Sequence, residues 1–259
     1  MKYSKQIHSL ISLKKNINAI LNKKSILNEI GYSGIYYYHI RKTGGTSINT
    51  AFLELAQSDL TNRYELLNSQ KDNRLIMDNK VYITNNKLLA EYSPYFYAFG
   101  HRPLHKLNIP DNRFKFTCLR EPISRFISLY KMIYESYYNN ENRIDYKSLY
   151  NCLGNGVVNF ASKIPKNLLY EQIYMLSPHF DFDEGINNIS KLNAILFTEN
   201  LSAGFNELNS KLKINLKYKH IRNSKSAYKP TDFEIEKLKQ LLKPEIEFYN
   251  KSMKLYYAQ

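Results

Sequence analysis

The stretch GIYYYHIRKTGGTS, residues 34–47, decides the fold of this chain, because an apolar strand pattern ends at a basic residue and a Gly-Gly pair. Residues 34–40 alternate across the two faces of a predicted strand. Gly44 and Gly45 have no Cβ, so the backbone there can adopt positive φ and lie against a ligand. The next residues can open a helix whose N–H groups attract anions. The sequence therefore predicts a turn that binds phosphate or sulfate.

The position of Lys42 argues against an ordinary nucleotide triphosphatase. In the ATP- and GTP-binding P-loop, G-x-x-x-x-G-K-[ST], the lysine follows the last glycine, whereas Lys42 precedes both glycines here. Gly34 cannot complete that pattern, because it lies inside the predicted strand. Lys42 still adds a full positive charge beside the predicted helix start.

A second strand-to-helix turn is predicted around Arg120. Residues 113–119, RFKFTCL, read as a strand that this arginine ends, and Pro122 can occupy the first turn of the next helix. Ser128 follows eight positions after Arg120 (128 − 120 = 8). Arginine offers a rigid fork for phosphate oxygens and a serine hydroxyl donates one more hydrogen bond. This pair is therefore suited to a second phosphate group.

Both stretches resemble the carbohydrate sulfotransferases, enzymes that use 3′-phosphoadenosine 5′-phosphosulfate (PAPS) and release adenosine 3′,5′-bisphosphate (PAP). HIRKTGGTSI, residues 39–48, is similar to their 5′-phosphosulfate loop, with Arg41 where proline is usual. LREPISRFISLY, residues 119–130, looks like their 3′-phosphate site. The resemblance implies that PAPS contacts Arg41, Lys42, Thr43, Gly44, Gly45, Thr46, Ser47, Arg120 and Ser128.

The strand-like run YFYAFGH, residues 95–101, supplies the candidate catalytic base. Sulfuryl transfer to an alcohol requires removal of the hydroxyl proton, and an imidazole with a pKa of about 6.5 is suited to that task. In the glycan 2-O-sulfotransferase branch that the sequence resembles, a histidine in a similar Gly-His context is the base, which implies that role for His101. A structural histidine at the strand end remains the alternative. His105 is the competing base, and His39 is expected to pack within the first strand.

Later segments follow the order of the same family. NLLYEQIYMLS, residues 167–177, is similar to a helix that lines the acceptor side, although an ordinary amphipathic helix stays open as an alternative. Residues 193–197 predict a short buried strand that leads into a helix with one apolar face.

The stretch KHIRNSK, residues 219–225, resembles the late loop that covers the cofactor, so Arg222 or Lys225 is expected to meet a phosphate. From residue 208 to 231 the chain has seven Lys or Arg and no acidic residue. A solvated basic surface therefore explains these charges nearly as well.

Length and composition fit one α/β domain. With 259 residues, 43% of them hydrophobic, the chain can bury one full α/β core. The resemblance implies a P-loop-like three-layer fold over residues 34–259, with a central, mainly parallel sheet flanked by helices. Residues 1–33 are predicted to form a basic helical extension, and residues 61–94 and 139–151 to be irregular insertions. The net charge of +14 favours anionic partners such as PAPS and an acidic glycan.

The first 33 residues contain six Lys, without a long apolar run or a small-residue cleavage site. They predict neither a signal peptide nor a membrane span, and so a cytoplasmic protein. Apolar residues between 7 and 21 are compatible with a basic helix on an anionic membrane surface, or with a helix packed on the domain. The missing anchor implies, by resemblance alone, a bacterial enzyme.

The resemblance implies direct in-line transfer to a glycan or glycolipid hydroxyl, with Lys42 stabilising the leaving group. No carboxylate cluster in the sequence requires a metal ion, and the two isolated cysteines form neither a disulfide framework nor a zinc site. Two other classes stay open: a divergent P-loop kinase or phosphotransferase, for which Glu54 is the obvious carboxylate, and a non-catalytic basic module for glycan or nucleic acid. With PAPS as the ligand, nucleic acid is not an expected partner.

Overall fold

The computed structural model describes residues 26–55, 73–77, 80–141, 146–221 and 228–257. Its strands are β1 (Gly34–Tyr38), β2 (Arg74–Met77), β3 (Lys80–Thr84), β4 (Tyr95–Gly100), β5 (Arg113–Leu119) and β6 (Ala194–Phe197). They form one six-stranded sheet in the order β2-β3-β4-β1-β5-β6. Only the β2–β3 pair in this sheet is antiparallel. The predicted mainly parallel central sheet is therefore confirmed.

Helices flank the sheet and connect its strands. Their bounds are α1 (Gly45–Glu54), α2 (Lys87–Tyr92), α3 (Pro122–Tyr138), α4 (Lys147–Tyr150), α5 (Val157–Lys163), α6 (Lys166–Leu169), α7 (Glu171–Tyr174), α8 (Phe182–Ser190), α9 (Leu201–Leu212), α10 (Asp232–Leu241) and α11 (Lys243–Tyr257). Two short 3₁₀ turns are present at Leu104–Lys106 and Thr198–Asn200.

Alternation along β1 distributes its side chains between two cores. Tyr37 packs with Ile48 and Phe52 of α1 on one face, whereas Tyr36 packs with Phe248 of α11 on the other. Both faces are covered, as expected for a parallel sheet. A third apolar cluster joins α3 to α5 and α10. This arrangement is the predicted three-layer α/β architecture.

The irregular insertion predicted over residues 61–94 is wrong in its described part. Residues 74–92 contain β2, β3 and α2, and β3 pairs in parallel with β4. The signal lay in the sequence LIMDNKVYI, residues 75–83, in which two short apolar runs flank Asp-Asn as in a hairpin. These strands extend the sheet on the side away from β5.

The single helix predicted over residues 167–177 is also wrong, because it is broken into α6 and α7. In a continuous helix the Gln172 N–H would donate to the Leu168 carbonyl. Instead the Leu168 carbonyl accepts a hydrogen bond from Arg125 (3.3 Å), and the Gln172 N–H donates to Glu245 (2.6 Å). Buried charged side chains therefore take the backbone partners that would have continued the helix.

The last residues of the predicted N-terminal extension pack on the domain. Leu27 is fully buried in the same core cluster as β1, with Ile30 and Tyr32 beside it. Residues 1–25 lie outside the described residues, so the extension itself and its membrane contact stay predictions. Within the described part of the chain, none of the helices has both the length and the apolar character that crossing a membrane requires.

Candidate functional site

Three neighbouring strands end at the same edge of the sheet. Tyr38, the last residue of β1, pairs with Gly100 of β4 on one side and Thr117 of β5 on the other. The strands are parallel, so the segments that follow them leave the sheet together. These segments are the turn with the glycine pair, His101 and Arg120. The fold therefore brings the separate predicted motifs to one place.

The glycine loop, residues 39–44, has the positive φ that its sequence predicts at Gly44 but not at Gly45, which begins α1. Gly44 is the N-cap of α1 and is left-handed, with φ 79°. Lys42 also has positive φ, at 69°. The Thr43 hydroxyl donates to the Ile40 carbonyl (2.9 Å) and is buried. Thr43 can therefore offer a ligand only its backbone N–H.

The two helices that begin at this edge differ at their N-termini. Glu121 caps α3, because its carboxylate accepts hydrogen bonds from the N–H groups of Ile123 (2.9 Å) and Ser124 (2.7 Å). The N-cap of α1 is Gly44, which has no side chain to take that role. The start of α1 is therefore better suited to an external anion than the start of α3.

Gly45 leaves room for the His39 ring. A Cβ at Gly45 would overlap that ring, which stacks on Tyr37 with centroids 5.1 Å apart. Burial, together with the nearby charge of Arg41, holds the pKa of His39 well below its ordinary value. His39 therefore packs under the loop as a neutral side chain.

Gly45→Ala should destabilise the fold by about 1–3 kcal/mol, because the new methyl group forces the His39 ring to move. In a His39→Ala background the same change should cost less, with a coupling energy of about 0.5–3 kcal/mol in the double-mutant cycle. Urea unfolding of the four proteins measures this. Additive losses would contradict the predicted contact.

Arg120 directly contacts the glycine loop. Its Nη1 donates to the carbonyl oxygen of Lys42 at 3.1 Å. Burial lowers the pKa of the Arg120 guanidinium, an effect that the charges of Glu199 and Glu121 oppose. Among the described residues Arg120 forms no salt bridge, whereas Arg125, five residues later, is paired with Glu171 and Glu245. Arg120 is thus a partly buried cation whose site can accept an anion.

The α3 face that carries Ser128 is directed towards the loop. Lys42 Nζ lies 3.6 Å from Met132 Sδ, and Met132 is one helical turn after Ser128 on the same face. Ser128 itself is half-buried. The side chains of Lys42 and Ser128 are therefore on neighbouring elements of one site.

His101 has a defined tautomer. Its Nδ1 lies 2.7 Å from the His39 carbonyl oxygen, which can only accept, so Nδ1 carries the proton and Nε2 is left unprotonated in the neutral ring. Burial of the ring and the charge of Arg41 lower the pKa of His101 to about 4, although the hydrogen bond to His39 opposes this. The residue as a whole is exposed, so solvent moderates this desolvation.

The remaining predicted residues have different surroundings. Arg41 Nη1 forms an ion pair with Glu171 Oε1 at 2.7 Å. His105 is exposed and packs edge-to-face with the Tyr174 ring, with centroids 5.3 Å apart. Arg222 and Lys225 lie outside the described residues.

Sequence reasoning assigned no role to the buried charges behind this site. Arg125, Glu171 and Glu245 are each at most 2% exposed in their side chains. The available signal was Arg125, a charged residue beside the apolar stripe of α3. Its partner Glu245 is far away in sequence, so the pairing could not be read from spacing.

A family model described as the sulfotransferase family matches residues 31–252. The chain belongs to the sulfotransferase family. The match includes the glycine loop, His101, Arg120 and Ser128, and sulfuryl transfer is accordingly the class of reaction. No curated protein matches this sulfotransferase in a sequence comparison. Its described residues contain no cluster of three or more His, Cys, Asp or Glu arranged to hold a metal ion, and a metal-free reaction stays a prediction.

Proposed function

We propose that the protein transfers the sulfuryl group of PAPS to a hydroxyl of a carbohydrate-type acceptor, as in the glycan 2-O-sulfotransferase branch. The observation that carries this proposal is the 3.1 Å hydrogen bond between Arg120 Nη1 and the Lys42 carbonyl. It joins the arginine proposed for the 3′-phosphate to the lysine proposed for the 5′-phosphosulfate. Both groups of PAPS are attached to one ribose, so the residues that bind them must be neighbours.

Arg120 and Ser128 are proposed to bind the 3′-phosphate. Arg120 is partly buried and forms no salt bridge among the described residues, although Glu199 and Glu121 are near enough to act on its charge. A phosphate would therefore meet free guanidinium donors and form charge-assisted hydrogen bonds with them. Ser128, on the α3 face directed to the loop, would add one hydroxyl donor.

The start of α1 is proposed to bind the 5′-phosphosulfate. Backbone N–H groups of residues 43–47 would meet its oxygens, helped by the helix dipole. Lys42 would donate to the bridging oxygen, where negative charge grows as the S–O bond to PAP breaks. Stabilisation at that position acts mainly in the transition state and therefore lowers the barrier. Arg41 adds positive charge beside the loop, although its ion pair with Glu171 neutralises part of that charge.

His101 is proposed to take the acceptor proton through Nε2, the ring nitrogen that its bond to the His39 carbonyl leaves unprotonated. The proton moves to the imidazole as the acceptor oxygen forms its bond to sulfur. No covalent intermediate with the protein is required, because the two substrates react directly.

His101→Ala should abolish most of the activity and remove the acidic limb of the kcat–pH profile, while PAP still binds. The base must be neutral, and the lowered pKa of His101 keeps it neutral further into acid, so kcat should fall only below about pH 6.5. Steady-state kinetics from acid to neutral pH measure this. His105→Ala is the matched control and should keep the limb. A limb that survives in His101→Ala but not in His105→Ala would assign the base to His105.

The kinase alternative has weaker support. A magnesium-dependent phosphotransferase needs carboxylates near its phosphates. Glu54 ends α1, nine residues after Gly45, which corresponds to about 14 Å of helix, and it forms an ion pair with Lys219 at 2.8 Å.

The non-catalytic alternative relies on the net charge of +14. That charge alone would suit nucleic acid, but it does not account for two elements proposed to bind phosphate that lie at one sheet edge. The positive charge would equally attract an acidic glycan or glycolipid acceptor, and a sulfotransferase with such an acceptor also accounts for the two proposed phosphate-binding elements.

Incubation with radiolabelled PAPS and a panel of acidic and neutral glycans tests the proposed reaction directly. The wild-type protein should transfer label to at least one glycan and release PAP in equal amount, without added metal. Transfer at the wild-type rate in Lys42→Ala, or transfer that appears only with magnesium and ATP, would count against the proposal.

A further inference from the structure

We propose that Gln172 is a positioning residue that aligns Arg120 with the 3′-phosphate. This inference rests on the proposed function, because it concerns how the same cofactor site is held in shape. Gln172 lies on α7, outside every motif that contacts PAPS in the proposal above.

The side chain of Gln172 pairs with both backbone groups of Arg120. Gln172 Oε1 accepts from the Arg120 N–H at 2.8 Å, and Gln172 Nε2 donates to the Arg120 carbonyl at 3.0 Å. Gln172 is fully buried. The amide therefore continues the hydrogen bonding of β5 by one residue. It fixes the backbone of Arg120, and so the Cα from which the side chain with the guanidinium extends.

Gln172 is itself held by the C-terminal helix. Its backbone N–H donates to Glu245 Oε1 at 2.6 Å, and the other oxygen of Glu245 lies 3.0 Å from Arg125 Nη2. Gln172 and Glu245 are fully buried. The backbone of Gln172 is therefore held by Glu245 of α11, and its side-chain amide is held by Arg120.

The preceding residue, Glu171, connects this network to the other end of the site. One of its oxygens pairs with Arg41 (2.7 Å) and the other with Arg125 (3.4 Å). Arg41 and Arg125 thus balance the charges of Glu171 and Glu245. Adjacent residues of α7 hold the two elements proposed to bind the two ends of PAPS, Glu171 through Arg41 and Gln172 through Arg120.

A purely stabilising role explains this network poorly. Desolvating ion pairs offsets most of their attraction, and well-packed apolar residues would stabilise the same space as well or better. The network also breaks the helix predicted over residues 167–177. What the network does specifically is fix the Arg120 backbone. A binding residue that is held in place by such supporting hydrogen bonds binds its ligand less tightly when those bonds are removed.

The test compares affinity for PAP with affinity for adenosine 5′-phosphate, which lacks the 3′-phosphate. Gln172→Met keeps an unbranched side chain of similar size but removes both hydrogen bonds to Arg120. The preference for PAP over adenosine 5′-phosphate should fall by about tenfold, since the charged donor stays but loses its alignment. Affinity for adenosine 5′-phosphate should change by less than about twofold. Calorimetry measures both, and thermal unfolding confirms that the protein is folded.

Ser252→Ala is the matched control. Ser252 is also fully buried, on α11, and its hydroxyl donates to the Phe248 carbonyl (2.9 Å), so this variant also loses a buried hydrogen bond but leaves the bonds of Gln172 to Arg120 and Glu245 in place. It should keep the wild-type preference for PAP. If Gln172→Met does not fold, Gln172→Asn retains the amide but is one methylene too short to reach both groups of Arg120, and the same fall in preference is expected.

A preference for PAP that survives in the folded Gln172 variant would overturn the positioning role and leave the proposed function standing. Equal losses for both ligands would also overturn it, since they indicate general damage. A wild-type protein without any preference for PAP would overturn the proposed function and this inference together.

Discussion

Lys42→Ala should lower kcat by about 10²-fold and leave PAPS affinity within a few-fold of the wild type. The proposed role of Lys42 is to stabilise charge that appears on the bridging oxygen as the S–O bond breaks, so its contribution is larger in the transition state than in the PAPS complex. In intact PAPS the bridging oxygen carries little of that charge, so the affinity for PAPS depends mainly on the other contacts. Rapid-quench kinetics, together with calorimetry with PAPS in the absence of acceptor, separate the two effects.

The control for this variant is Lys239→Ala, which removes the same charge from an exposed position on α10 where Lys239 pairs with Glu236. It should leave kcat unchanged. If Lys42→Ala weakened PAPS binding as much as it lowered kcat/KM, Lys42 would stabilise the PAPS complex and the transition state equally and would not be catalytic. An unchanged kcat would reject the assignment altogether.

Arg120→Ala should weaken PAP binding by about 1.5–3 kcal/mol, the range for hydrogen bonds to charged groups. Binding of adenosine 5′-phosphate should be almost unaffected, because the lost partner is the 3′-phosphate. The bond from Arg120 to the Lys42 carbonyl is also lost, and a small rise in KM for PAPS from a looser glycine loop is expected in addition. Calorimetric titration of both ligands measures the difference.

Arg74→Ala is the control for Arg120→Ala, since Arg74 begins β2 at the edge of the sheet and is separated from β5 by three strands. It should leave both affinities as in the wild type. Equal losses of both ligands in Arg120→Ala would mean that Arg120 holds the loop without contacting the 3′-phosphate.

The elements around the site could be predicted because their signals are local. A strand pattern followed by Gly44, and another followed by Pro122, each fix where a strand ends and a helix begins within a few residues. Because β1 and β5 are parallel strands of one sheet, their carboxyl ends lie at the same edge of that sheet. The bounds of β5, Arg113–Leu119, agree with the sequence prediction for this reason.

Other features depend on contacts that local patterns do not encode. The break between α6 and α7 is caused by Arg125 and Glu245, which meet across 120 positions of sequence. The positive φ of Lys42 follows from the loop packing, not from residue type. The proximity of Arg120 to the Lys42 carbonyl likewise depends on the fold, because the two residues are 78 positions apart in the sequence.

The central claim is that the site takes a sulfonucleotide by its 3′- and 5′-groups, and calorimetric titration of the wild-type protein tests it most directly. The ligands are PAP, adenosine 5′-phosphate, ATP with and without magnesium, and a short oligonucleotide. We predict that PAP binds most tightly, by a margin over adenosine 5′-phosphate that Arg120→Ala removes, and without dependence on magnesium. Tighter binding of magnesium-ATP would contradict the account in favour of a phosphotransferase. Binding of the oligonucleotide without a preference for PAP would contradict it in favour of a basic binding module.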